Sequence, residues 1–295
     1  MPDPTRILLP AREYNLAATL NSGQAFRWRS GEEGWEGIIG DRWVRLRAVR
    51  EGIAAETAAP QTDWTWLERY LQTRVELPRI LATFPADEPI CAAIEACRGL
   101  RLLRQDPWEC LASFICSSTK QIVQIAQIIS RLCARFGEPV AVPAGQTPAF
   151  AFPSARRIAA LAEADLRACQ MGFRAPHLLA AAHRVARGEL SLDRLQRLDT
   201  PSARAGLMTL PGVGPKIADC VLLFAYGRQD AFPLDVWVTR ALCELYFSGR
   251  RVPPARLREF GQQHFGPFAG YAQQYLFHYI RIHRRGPTGQ NRGRT

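Results

Sequence analysis

Lysine is nearly absent from this chain. Of 38 basic residues, only Lys120 and Lys216 are lysines, so arginine serves almost everywhere a positive charge is needed. Arginine stays protonated, whereas lysine can lose its proton and act as a nucleophile. A retained lysine therefore raises the question of what arginine could not do in its place. Long apolar runs are missing too. The first ten residues hold no apolar segment of signal-peptide length. No stretch approaches the roughly 20 apolar residues of a membrane span. A cytoplasmic protein of bacterial type, with no membrane partner, is expected. Also missing are a CxxC pair and any His/Cys cluster with zinc spacing. The eight cysteines (Cys91, Cys97, Cys110, Cys116, Cys133, Cys169, Cys220 and Cys243) are scattered, mostly among apolar neighbours. In a reducing compartment they read as small core residues, with neither a disulfide framework nor a metal site.

What is present is a basic, apolar-rich chain. Its 295 residues are 47% hydrophobic and carry a formal net charge of +11. That is enough apolar material for one large domain or two tightly joined ones. A basic excess of this size favours a polyanionic partner, and nucleic acid is the commonest.

The first 50 residues read as strands. Phe26 and Trp28 alternate with Arg27 and Arg29 at the period of a half-buried strand. A loop from Ser30 to Gly34 leads to the apolar run Trp35 to Ile39. Gly40-Asp41 then suits a two-residue hairpin turn into Arg42 to Val49. After Thr62 the periodicity becomes helical. Asp63 is placed to cap a helix carrying Trp64, Leu67, Tyr70 and Leu71. Asp106-Pro107 is a cap and first-turn proline ahead of Leu111, Phe114 and Ile115. Ile122, Ile125, Ile129, Leu132 and Phe136 continue at helical spacing to Gly137. Pro139 to Pro153 reads as a linker, and helices resume to about Leu198. The predicted class is α+β: a small N-terminal antiparallel sheet followed by a mainly α-helical domain containing a helix-hairpin-helix. The expected boundaries are 1–88 for the sheet domain with its helix, 89–285 for the helical domain, and 286–295 for a basic disordered tail.

The most informative segment is Leu210-Pro211-Gly212-Val213-Gly214-Pro215-Lys216-Ile217-Ala218-Asp219-Cys220. Its glycines make a tight turn, and Pro215 suits the first position of a new helix. Bare backbone at Gly212 and Gly214, on either side of Val213, lets amides approach an anion at a helix N-terminus. Such a hairpin holds a DNA phosphate without reading bases, although a short Pro-Gly-Val-Gly alone also fits a plain interhelical turn. Lys216 falls in the first turn, where the helix dipole disfavours an ammonium, and a neutral amine is what nucleophilic attack needs. Its plainer role is a surface phosphate contact. Cys220 lies four residues on, along the same face. Asp235, after Phe232-Pro233-Leu234, reads as an N-cap and also as a carboxylate able to stabilise positive charge on a sugar that is losing its base.

Together these motifs resemble the helix-hairpin-helix DNA glycosylase superfamily, and most closely its 8-oxoguanine DNA glycosylase/lyase branch. Asp235 follows Lys216 by nineteen residues, as in that family. Three more stretches carry the resemblance: Asn21 to Trp28, Asp106 to Ser118, and Phe265 to Gln273. Four motifs in the right order span nearly the whole chain. The resemblance implies that Lys216 attacks the sugar C1′ of a flipped nucleotide and that Asp235 assists. It implies that the Gly23 carbonyl meets the ring N–H distinguishing oxidised guanine from guanine. Gln273 would bond the pairing edge of the base, with Phe277 stacked on one face and Cys220 on the other. The implied partner is double-stranded DNA containing an oxidised purine, bound by a monomer without metal or organic cofactor. Iron–sulfur relatives carry a C-terminal four-cysteine cluster, and none follows Cys243 here.

Other positions depart from the pattern. Thr119 stands where an asparagine fills the hole left by the flipped base. Gln124 replaces one of two arginines that read the orphaned cytosine, while Arg174 matches the other. Phe173 replaces a wedge tyrosine, and Trp237 a phosphate-contacting histidine. Damaged-base recognition is expected to persist, with relaxed discrimination of the opposite base. Two other functions stay open on the sequence. An alkylpurine glycosylase of the same fold works without a nucleophilic lysine. A non-catalytic DNA-binding module would use the hairpin only for phosphate.

Overall fold

A computed structural model describes residues 5–284. The predicted basic tail, 286–295, lies outside the described residues. The N-terminal sheet has five antiparallel strands in the order β1-β5-β4-β3-β2: β1 (Arg6–Pro10), β2 (Arg29–Gly31), β3 (Gly34–Ile39), β4 (Arg42–Val49) and β5 (Gly52–Thr57). Ile39 pairs with Arg42 across Gly40-Asp41, so the expected two-residue turn is present, with Gly40 at φ +60°. Leu9, Val44, Leu46, Ile53 and Ala55 point to one face and bury against α1 (Leu16–Asn21) and α2 (Thr65–Leu71).

The first 50 residues are not all strand, since Leu16–Asn21 is helical and capped by Asn15 Oδ1 on the Ala18 amide at 2.9 Å. The Ser30–Gly34 loop is a tight hairpin, with Gly31 opposite Gly34. Asp63 bonds the Thr65 amide at 2.9 Å, one position ahead of the N-cap itself, Trp64. The alternation at Phe26–Arg29 is not a strand until Arg29. Its hydrophobes go to different cores: Phe26 packs edge-on against Phe114 in the helical core, while Trp28 covers Gly37 of the sheet and donates to the Tyr70 hydroxyl at 2.9 Å. Gln24 holds this irregular segment in place. It donates to the carbonyls of Thr19 and Arg101 and accepts from the Leu103 amide, all within 2.9 Å.

The remaining helices form the larger layer. α3 (Leu77–Leu81) and α4 (Glu88–Ala96) lead to α5 (Pro107–Cys116), which is capped as expected by Asp106 on the Glu109 amide at 2.8 Å. α6 (Ile122–Phe136) ends at Gly137 and buries Ile125, Ile129 and Leu132. The supposed linker carries a short pair, β6 (Pro139–Val140) and β7 (Ala149–Phe150). Strands this short leave no periodicity to read, and the segment is fixed by side chains: Trp108 donates to the Pro153 carbonyl at 3.0 Å, and Arg27 to that of Phe150. Then come α7 (Ala155–Ala159), α8 (Glu163–Ala168), α9 (Ala175–Ala186), α10 (Leu192–Leu195), α11 (Thr200–Met208), α12 (Pro215–Phe224), α13 (Val236–Tyr246), α14 (Pro254–Phe265) and α15 (Ala269–Arg284). α12 is buried between α5 and α11, and α15 packs on α4 and α13. Among the described residues, no helix is long and apolar enough to cross a membrane.

Candidate active site

The α11–α12 connection is built on backbone freedom. Gly212 has φ +76°, and a Cβ there would lie 2.4 Å from His177 Nδ1. Val213 is the buried peg of the hairpin, while Gly212 stays exposed. Gly214 is the extended N-cap of α12 with Pro215 behind it, and no side chain caps this helix. Its first-turn amides are thereby left for an anion.

Lys216 leaves the first turn of α12 pointing inward. Its Nζ donates to Ser117 Oγ at 3.2 Å and lies 5.1 Å from the centroid of the Phe114 ring. The Ser117 hydroxyl gives its own proton to the Phe114 carbonyl at 2.7 Å, so it meets the amine as an acceptor. Lys216 makes no ion pair among the described residues. Asp235 is the N-cap of α13, with Oδ1 accepting from the Val238 amide at 2.8 Å. Burial raises its carboxyl above the ordinary value, while that amide and the Lys216 charge pull it partly back.

Both groups line one cavity of about 770 Å³, a volume suited to an extruded nucleotide. Gly23, Thr119, Cys220, Trp237, Gln273 and Phe277 line it as well. Burial pushes the Cys220 thiol up to about 12, so this wall is a neutral, apolar sulfur. Gln273 is buried on α15 with its Oε1 unpartnered among the described residues, an acceptor that is costly to leave empty. Phe277, one turn on, is half-buried with the Arg281 guanidinium 5.1 Å from its ring centroid.

Gly23 is fixed from both sides. Gln274 donates to the Ser22 carbonyl at 3.0 Å, and buried Gln24 follows. The glycine has φ +78°, and a Cβ there would sit 2.5 Å from Ile122 Cδ1. Gly23→Ala is therefore expected to cost about 1–2 kcal/mol through its left-handed backbone. It should also crowd the cavity and lower base excision at least about tenfold. Thermal melting and single-turnover excision check both parts.

Other predicted positions lie outside this cavity's wall. Phe173 is exposed beside His177. Arg174 is buried and turned inward, bonding the carbonyls of Ser118 and Met171 and, at 2.6 Å, Thr119 Oγ1. Gln124 is exposed, and its Oε1 accepts from the Gln121 amide at 3.1 Å as part of the α6 cap. Sequence reasoning overlooked Ser117, Gln274, Arg258 and Arg281. Ser117 was within reach, since it stands in a motif stretch, but its partner is 99 residues away.

Residues 6–111 match the N-terminal domain of 8-oxoguanine DNA glycosylase, and residues 112–266 match the HhH-GPD superfamily of base excision DNA repair proteins. The chain belongs to the 8-oxoguanine glycosylase branch of that superfamily. An N-glycosylase/DNA lyase of Arabidopsis thaliana is 30% identical over 90% of this chain and 77% of its own. MBOgg1, solved with a low-affinity DNA ligand, superposes with a TM-score of 0.90 at 34% identity, over 95% of this chain and 97% of that one. The Clostridium acetobutylicum 8-oxoguanine glycosylase/lyase, solved on double-stranded DNA with cytosine opposite 8-oxoguanine, gives 0.87 at 29% identity, over 93% and 97%.

Proposed function

We propose that this glycosylase removes 8-oxoguanine from duplex DNA and cleaves the abasic strand through a Schiff base on Lys216. The observation carrying this reading is an amine that makes no ion pair among the described residues and faces the same cavity as a half-buried carboxylate. A nucleotide is extruded into the cavity, where Phe277 and Cys220 sandwich the base and Gln273 Oε1 accepts from its pairing edge. The Gly23 carbonyl accepts the extra ring N–H of the oxidised purine. Lys216 attacks C1′, and the glycosidic electron pair leaves with the base. Asp235 stabilises the cationic sugar. Ring opening gives an iminium, loss of a C2′ proton expels the 3′ phosphate, and hydrolysis frees Lys216. Gly212, Val213 and Gly214 hold a phosphate, and Phe173 wedges the gap in the duplex. The eight free thiols suit a reducing cytoplasm.

The direct test is borohydride treatment during turnover on a duplex with one 8-oxoguanine. A covalent protein–DNA adduct is expected. An alkylpurine enzyme or a non-catalytic binder gives none.

The opposite strand should be read weakly. Gln124 is committed to a helix cap and lacks the charge of an arginine, and Arg174 is spent on Ser118, Met171 and Thr119. Losing a charged base contact costs about 1–3 kcal/mol of discrimination. Single-turnover excision opposite each of the four bases should show only modest preference for cytosine. The double variant Thr119→Asn, Gln124→Arg should sharpen it. A preference of about a hundredfold or more in the wild type would mean that another residue reads that base.

A further inference from the structure

The only two lysines of the chain stand in the wall of one cavity. Resting on the Schiff-base reading, Lys216 is consumed once its nitrogen is part of the iminium. Lys120 has no role in that scheme so far. Charge alone does not explain it, because arginine supplies charge at every other basic position. What lysine adds is a nitrogen able to release and take up a proton.

The fold fixes the backbone of Lys120 in a turn of the cavity wall that Lys216 also lines. It ends the turn that leaves α5, with its amide bonded to the Ser117 carbonyl at 3.3 Å. Thr119 takes the left-handed conformation there, φ +57°, which a β-branched residue disfavours. Arg174 pins that turn through the Ser118 carbonyl and Thr119 Oγ1. Ser117, three residues before Lys120, is the residue whose hydroxyl receives Lys216 Nζ. The turn that carries Lys120 is therefore the one that Lys216 Nζ reaches from α12. The Lys120 side chain is half-buried and makes no hydrogen bond or ion pair among the described residues.

The elimination needs a proton acceptor, and the cavity wall offers few. Arg258 and Arg281 are always protonated, and Gln273 and Gln274 are not bases. Cys220 is a neutral thiol. Asp235 is bound to the start of α13 and is already assigned to the sugar cation. We propose that Lys120 accepts the C2′ proton in the strand-cleaving elimination. The C2′–H bond breaks, its proton passes to the Lys120 amine, and its electron pair forms C1′=C2′ as the iminium becomes an enamine. The enamine then forms C2′=C3′ and restores the iminium. The C3′–O bond breaks, and its pair leaves with the phosphate. The Lys120 ammonium returns its proton to water.

The test uses the full chain on an 8-oxoguanine duplex in single turnover, scoring base release and strand cleavage separately and trapping with borohydride. Lys120→Gln and Lys120→Arg are each expected to slow strand cleavage by about 10²-fold while base release falls far less. Alkali-labile and borohydride-trappable intermediates should then accumulate. Base release also reports that each variant is folded. Wild-type cleavage by Lys120→Arg would overturn the proposal, since charge would then suffice. A parallel fall of both activities would overturn it as well, reducing Lys120 to a DNA contact. Absence of any trapped adduct in the wild type would overturn the lyase reading and this step with it. A trapped adduct with undiminished Lys120→Arg cleavage would overturn this step alone.

Discussion

Lys216→Gln is expected to abolish the borohydride adduct and strand cleavage together, the largest effect of any single substitution here. The amide of glutamine is no nucleophile and forms no iminium. It can still accept or donate at the Ser117 hydroxyl, and α12 keeps its Gly214-Pro215 start, so the fold should persist. DNA affinity should fall little, because the hairpin amides and the many surface arginines supply the phosphate contacts. Adduct formation on denaturing gels and DNA binding by anisotropy read the two outcomes. Undiminished trapping in the variant would remove Lys216 as the nucleophile and shift attention to Lys120, the other amine in the wall.

That two amines share one cavity was only half visible in the sequence. Features encoded within a few residues could be read directly. Asp106-Pro107 announces α5, Gly137 ends α6, and Gly214-Pro215 starts α12, because caps act on neighbouring amides. The strand β5 (Gly52–Thr57) could not be read, since Ala54, Ala55 and Glu56 have little intrinsic strand preference and become a strand by pairing with β1 and β4. The same division holds at the cavity. Lys216, Cys220, Asp235, Gln273 and Phe277 stand in recognisable motifs. The bonds that set their surroundings do not. Lys216 to Ser117 spans 99 residues and Gln274 to Ser22 spans 252, and nothing local in the sequence marks either pair. Arg174 shows the converse. Its position matches a base-reading arginine of the family, and in the fold its guanidinium is bonded to the Ser118–Thr119 turn, a contact that no local pattern marks.

Asp235→Asn should separate two jobs that one carboxylate performs. Asparagine caps a helix about as well as aspartate, so the bond to the Val238 amide and the start of α13 should survive. What is lost is the negative charge facing the sugar. Base release should fall by about 10²-fold or more, the scale of removing one preorganised electrostatic group. Stability should not fall with it. Burial raises the Asp235 carboxyl above its unfolded value, so the ionised form is the one the fold disfavours. That penalty is present at pH above the raised folded value and disappears on acidification below the ordinary carboxylate value. The asparagine variant, free of the penalty, should melt at or above the wild-type temperature at neutral pH, and the difference should close in acid. Catalysis runs the other way. The carboxylate must be ionised to act, so wild-type base release should decline as pH falls through a value higher than that of an exposed aspartate. In the variant that acid limb should be missing from the pH profile. A variant with wild-type turnover would leave Asp235 only its capping role, and an unchanged acid limb would assign the titration to another group.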